Sequence, residues 1–250
     1  MTLFRHELQN QMRLYVRSRE LAFFTFLLPV IIFILLGSVY GHDTIDGVKG
    51  SRYLLAGMLG YGVVATVFAG LSIVLVIRRE SGVLKRLRAT PLPAPTYIAA
   101  MLGTFLAAFL LEVLVLIVIA RTLFGVPLPD RPLSLIVTLL LGAAAFSALG
   151  IGLAGYVRSA EGSSAVVNAV YLPMAFLAGS FFSPHSFPGF LRAIADVLPL
   201  TYFIRLVRAV MLHDSPIWSE WQSVVVVVAW GLVGLVAALR KFHWEPRETA

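Results

Sequence analysis

Residues 53–77 run for 25 positions without one charged side chain and stop at Arg78-Arg79-Glu80. A bilayer's hydrocarbon core is about 30 Å thick and takes roughly 20 apolar residues of helix to cross. In lipid a backbone must satisfy its own N–H and C=O groups, so a run of this length is read as a transmembrane helix. The same pattern recurs at 21–40, 97–120, 133–157, 163–183 and 221–239, with Glu112 the one interruption of the third. Six spans are expected, in an all-α integral membrane protein forming one domain over residues 1–250. Charge agrees: 13% of residues are charged, against about 25% in soluble chains.

Two further segments are amphipathic rather than wholly apolar. In residues 1–20, Phe4, Leu8, Met12 and Tyr15 recur at helical spacing between Arg5, Arg13, Arg17 and Arg19. Such a helix can lie in the membrane interface. Residues 184–212 are cut by Pro184, Pro188 and Pro199 into pieces too short to span. Phe190, Leu191, Ile194 and Leu198 mark one helical face, and Phe203, Leu206, Val207 and Val210 another. The expectation is a helical hairpin that dips into the outer side and returns, broken at Pro199, with Arg192 and Asp196 paired one turn apart. A pair of helices lying flat on the outer leaflet is the alternative.

Basic residues set the orientation. With the N-terminus inside, thirteen lysines and arginines fall on the cytoplasmic side and seven outside. That bias puts both termini in the cytoplasm. It also accounts for the net charge of +7 without nucleic acid. The chain has no cysteine, so it forms no disulfides or thiolate metal sites.

Little in the chain points to catalysis. No glycine precedes a lysine, so there is no phosphate-binding loop of the Walker type. His6-Glu7 begins a zinc-protease string that fails at Asn10, and no G-x-S-x-G occurs. Glu112 stands apart, because a carboxylate inside a span is expensive. It either faces a translocation path or is a hydrogen-bonded structural residue. Gly150, Gly152 and Gly155 predict close helix packing in the fourth span.

Residues 78–95 read RRESGVLKRLRATPLPAP. Leu84 and Leu87 share a helical face, Glu80 offers an acceptor and Pro91 stops the helix. A short amphipathic helix of this kind suits docking on a soluble partner. The segment resembles the cytoplasmic connection of ABC-2 type permeases, the membrane subunits of ATP-binding-cassette exporters, which carry a stretch like E-x-x-G-x-x-x-x-L-x-x-x-P. Glu80, Gly82, Leu87 and Pro91 stand in comparable places, with Gly82 one residue early. Leu198-Pro199-Leu200-Thr201-Tyr202 and Gly179-Ser180-Phe181-Phe182-Ser183-Pro184 resemble further elements of that family.

The resemblance implies a plasma-membrane permease subunit that pairs with a second permease and two cytoplasmic ATPase subunits. The ATPases would bind ATP and magnesium, leaving this chain without a cofactor. Glu80, Gly82, Lys85, Arg86, Leu87 and Pro91 would receive the ATPase movement. Pro199, Tyr202, Phe203, Leu206 and Arg208 would form an outer gate. Implied cargoes are drugs, antibiotics and lipids, with efflux of antibiotics the nearest branch. A glycan exporter, an ion-coupled carrier using Glu112 and a non-transporting membrane protein stay open beside it.

Overall fold

A computed structural model of the chain describes residues 2–18, 23 and 27–243. Its helices are α1 (Thr2–Arg17), α2 (Leu28–Tyr40), α3 (Gly50–Glu80), α4 (Val83–Arg88), α5 (Ala94–Phe124), α6 (Pro132–Ala154), α7 (Ala160–Leu177), α8 (Gly189–Ala195), α9 (Pro199–Leu212) and α10 (Trp221–Lys241). Among the described residues four helices are long and apolar enough to cross a bilayer: α3, α5, α6, and α10 with its lead-in turn Ile217–Glu220. The second, third, fourth and last expected spans correspond to these.

The first and fifth spans are seen differently. α2 covers the last 13 residues of the first. Most of the stretch 21–26, the end of the expected interfacial helix at 19–20 and the tail 244–250 lie outside the described residues. α7 starts at an N-cap, Ser159, whose hydroxyl accepts from the Gly162 N–H at 3.2 Å. It is 18 residues long and ends at Leu177, six short of the expected end. Gly179 then takes a left-handed turn with φ +90°, which few side-chain-bearing residues adopt.

The loop after α2 is more ordered than its polarity suggests. Thr44–Ile45 pairs antiparallel with Val48–Lys49 across Asp46-Gly47, both at positive φ. Asp-Gly favours this tight turn. Among the described residues the fold is helical apart from this one two-stranded hairpin, consistent with the all-α membrane protein expected.

α3 is the hub. It touches α2, α5, α6, α7 and α9, and most of its apolar length is enclosed by protein rather than left for lipid. Its middle, Val63–Gly70, is a π-helix eight residues long. Such i→i+5 stretches are rare and concentrate at functional sites. Elsewhere the helices meet through small residues. Gly152 and Gly234 bring α6 and α10 so close that a methyl group on Gly152 would lie 2.8 Å from the Gly234 carbonyl. That bears out the close packing expected of the fourth span. Without a hydrophobic force between helices in lipid, such contact is what holds them together.

Candidate functional site

α3 does not end where its apolar run ends. It continues through Arg78, Arg79 and Glu80, turns at Ser81-Gly82 and re-enters helix as α4. Gly82 sits at φ +72°, the conformation the turn needs and glycine supplies without strain. Leu84 is wholly buried in the same apolar cluster as Leu71, Leu75 and Val76 of α3, so α4 is anchored rather than free. Leu87 is half-buried, while Lys85 and Arg86 face outward. α4 stops at Arg88, three residues before Pro91, where the Thr90 hydroxyl donates to the Leu87 carbonyl at 2.7 Å. The expected coupling residues thus form one unit, with a buried leucine below and two cations on top.

Glu80 is spent inside this unit. It accepts from Arg79 Nε at 2.8 Å and is largely shielded. Arg79 was counted in the sequence only as a topogenic charge. It is wholly buried, and its other two nitrogens donate to the carbonyls of Ala154, at 2.9 Å, and Val157, at 2.5 Å. Ala154 is the last residue of α6, so the cation meets an orphan carbonyl and the negative end of the helix dipole there, and Val157 lies in the turn just beyond. Arg78, the preceding residue, donates instead to Gln11 Oε1 of α1 and, at 2.8 Å, to the Tyr97 hydroxyl of α5.

α1 packs along the start of α5. Tyr15 meets Phe105 edge-on at 5.5 Å, and Leu8 lies beside Gly103. The face it turns inward is Leu8, Gln11 and Tyr15, while Phe4 and Met12 point out with Leu3, Leu14 and Val16. The stripe read from the sequence is therefore split between two sides. A helix on a membrane protein can show an apolar face to lipid and a mixed face to its own protein.

Glu112, midway along α5, has no exposed surface. The Thr66 hydroxyl, on the π segment of α3, donates to its Oε2 at 2.8 Å. Oε1 has no hydrogen-bond partner among the described residues. Gly62 makes room for it, since a methyl group there would sit 2.7 Å from Oε1. The carboxyl is thus enclosed between two helices, and its one observed polar contact lies on the π segment.

At the other end, α8 and α9 are two short helices broken before Pro199, which takes the first helical position of α9. Phe203 and Leu206 are wholly buried. Phe203 contacts Phe146 of α6 edge-on at 6.0 Å and fills the space left by Gly142. Tyr202 donates to the Asp196 carbonyl at 2.8 Å. The expected Arg192–Asp196 pair does not form. Asp196 pairs with Arg205 at 2.5 Å, and Arg192 donates to the His185 carbonyl at 2.5 Å. Asp196 lies just past the last turn of α8, so α9 offers the nearer guanidinium. Arg208 stacks 3.8 Å above the Tyr53 ring centre and donates to the Gly179 carbonyl at 2.5 Å.

The family model for the ABC-2 type transporter matches residues 2–212, from α1 to the end of α9. The chain belongs to that family. It is similar over most of its length to curated relatives described as transport permeases. One is "Putative transport permease YvfS" of Bacillus subtilis, 24% identical, with 88% of this chain and 89% of the relative covered. "Inner membrane transport permease YadH" of Escherichia coli is 25% identical, with 94% of each covered. "Putative transport permease ycf38" of Porphyra purpurea is 28% identical, over 83% of this chain and 72% of the relative. The ABC-2 match takes in α4, Glu112 and α9 alike, so each stands inside the part this transport permease shares with its family.

Proposed function

We propose that this ABC-2 protein is the permease subunit of an ATP-binding-cassette exporter, driven by a separate ATPase and paired with a second permease subunit. Six spans, one ending in α2 and the others formed by α3, α5, α6, α7 and α10, cross the plasma membrane with both termini cytoplasmic. α4 receives the ATPase. α8 and α9 re-enter from the outer side and close the exit. The cargo is hydrophobic or amphipathic, a drug, antibiotic or lipid moved outward. This chain itself does no chemistry and holds no nucleotide, having no phosphate loop.

The observation that carries this reading is the mounting of α4. A six-residue helix at the end of the most enclosed span is held by buried Leu84 and by the Arg79–Glu80 pair, and it shows Lys85 and Arg86 outward. Movement imposed on it would pass through Arg79 to α6 and through Arg78 to α1 and α5. A loop that merely rested on lipid would have no need of these connections.

The test is ATP dependence. Affinity purification of the tagged chain from its native membrane brings down an ATP-hydrolysing subunit, and export in vesicles requires ATP. Ion-gradient-driven transport by the chain alone in liposomes would overturn the reading.

A further inference from the structure

At the α8–α9 end lies a cavity of about 420 Å³, within the range of small-molecule sites, about 300–1,000 Å³. Its wall carries three arginines, Arg192, Arg205 and Arg208, and three carboxylates, Asp46, Asp196 and Glu220. The formal charge balances, but the pairing does not. Arg205 and Asp196 neutralise each other. Arg192 donates to the His185 carbonyl; Arg208 donates to the Gly179 carbonyl and is attracted by Tyr53 and Asp46, while its Nε is buried without a hydrogen-bond partner among the described residues. Asp46 accepts from the Ser183 hydroxyl at 2.7 Å, and Glu220 has no ion pair among the described residues. Arg208 and Asp46 attract each other without closing to an ion pair, and Arg192, like Glu220, has no ion pair among the described residues.

We propose that this cavity binds a zwitterionic head group, an acidic group joined to an ammonium, carried by an amphiphile at the membrane surface. Guanidinium groups are suited to phosphate and carboxylate, which accept several of their fixed N–H donors. The half-buried Arg208 receives the acid, which gives its buried Nε the acceptor it lacks. Arg192, on the exposed side, adds a second cation. Asp46 and Glu220 receive the ammonium, and they disfavour a ligand that is only anionic. The Tyr53 ring beneath Arg208 and the Gly179 carbonyl beside it hold the guanidinium in place.

Two tryptophans beside Glu220 point to an amphiphile. Trp218 and Trp221 flank Glu220 and are largely exposed. Exposed tryptophans gather at the level of lipid head groups. The mouth of the cavity therefore lies where a head group sits, with the acyl chains free to remain in the bilayer. The assignment stands on these contacts. Only its placement in the outer leaflet rests on the proposed topology.

The test is lipid binding to the purified chain in detergent, read by native mass spectrometry, with no ATPase or membrane orientation involved. Failure here would leave the exporter reading standing, and failure of ATP dependence would leave this site standing. The probes are dioleoyl phosphatidylethanolamine and dioleoyl phosphatidylglycerol. Phosphatidylethanolamine is retained in preference, and Arg208→Gln and Glu220→Gln each weaken retention by at least about tenfold. Arg192→Gln, at an exposed position, gives the same direction should Arg208→Gln misfold. Arg121→Gln, also exposed but off the cavity, changes nothing. Displacement by millimolar free phosphoethanolamine assigns the site to a soluble zwitterion, and its failure to displace assigns it to a membrane amphiphile. The first outcome keeps the head-group chemistry and overturns the amphiphile; the second supports both. Phosphatidylglycerol held as tightly as phosphatidylethanolamine and untouched by Glu220→Gln overturns it, as does retention in Arg192→Gln and Arg208→Gln equal to that in Arg121→Gln.

Discussion

Arg78 and Arg79 are neighbours in the chain that bind different bodies: Arg78 holds Gln11 of α1 and Tyr97 of α5, and Arg79 holds the carbonyls of Ala154 and Val157 at the end of α6. One turn of helix is thereby fixed to three others. Because the two side chains share no partner, their contributions to stability should be independent. Arg79→Gln strands two buried carbonyls and is expected to cost about 3 kcal/mol, more than Arg78→Gln. The double variant should equal the sum to within about 0.5 kcal/mol, measured by denaturant unfolding in detergent. A large coupling between them would show that the two contacts are one.

Gly62 and Glu112 make a second pair whose coupling can be measured. Gly62→Ala pushes a methyl group into Oε1 and should destabilise by about 1–3 kcal/mol. Glu112→Asp, one methylene shorter, should relieve part of that loss in the double variant. Simple addition of the two costs would mean the carboxyl moves aside freely. Thr66→Val removes the one observed donor to Glu112 and should lower the unfolding temperature without blocking membrane insertion.

Phe203 was expected to act at an exit, and it lies packed from α9 against Phe146 and Gly142 of α6. Phe203→Ala should cost about 3–5 kcal/mol through the cavity it leaves. Folded yield after purification, set beside export per folded molecule, separates packing from gating. Unchanged stability with leaking substrate would return Phe203 to a gating role alone.

The absence of cysteine makes topology simple to measure. A single cysteine at Lys85 should resist an impermeant reagent in intact cells, and one at His185 should react. The reverse pattern would invert the proposed orientation. In the same background, cysteines at Phe4 and Met12 should react with lipid-phase reagents and one at Gln11 should not.

Much of this fold was legible because a long uncharged run has few fates. α3, α5, α6 and α10 begin and end within four residues of where charge and proline placed them, and the break before Pro199 fell where expected. Which face of α1 meets protein was not legible. Lipid is as apolar as a core, so periodicity marks an apolar side without saying what covers it. Arg79 was missed for a related reason: its charge looked like its function, and only the fold shows that its donors cap α6. The hairpin at Thr44–Lys49 did carry a signal, the Asp46-Gly47 pair, which went unused. The π segment carried none that composition could reveal. Arg192 and Asp196 looked paired by spacing, but spacing within one segment cannot weigh an arginine arriving from the next.

The length of α5 has one more consequence. Its 31 residues measure about 46 Å, some 15 Å more than the hydrocarbon is thick. α1 lies beside its first turns, from Tyr97 to Phe105. If α1 floats at the surface, the remaining 19 residues to Phe124 just fill the apolar layer, and the surplus stands below it as a short stalk. On that condition α4 would hang at the same level, off the lipid and clear of the head groups. A bulky soluble partner could then reach it without pressing against the membrane.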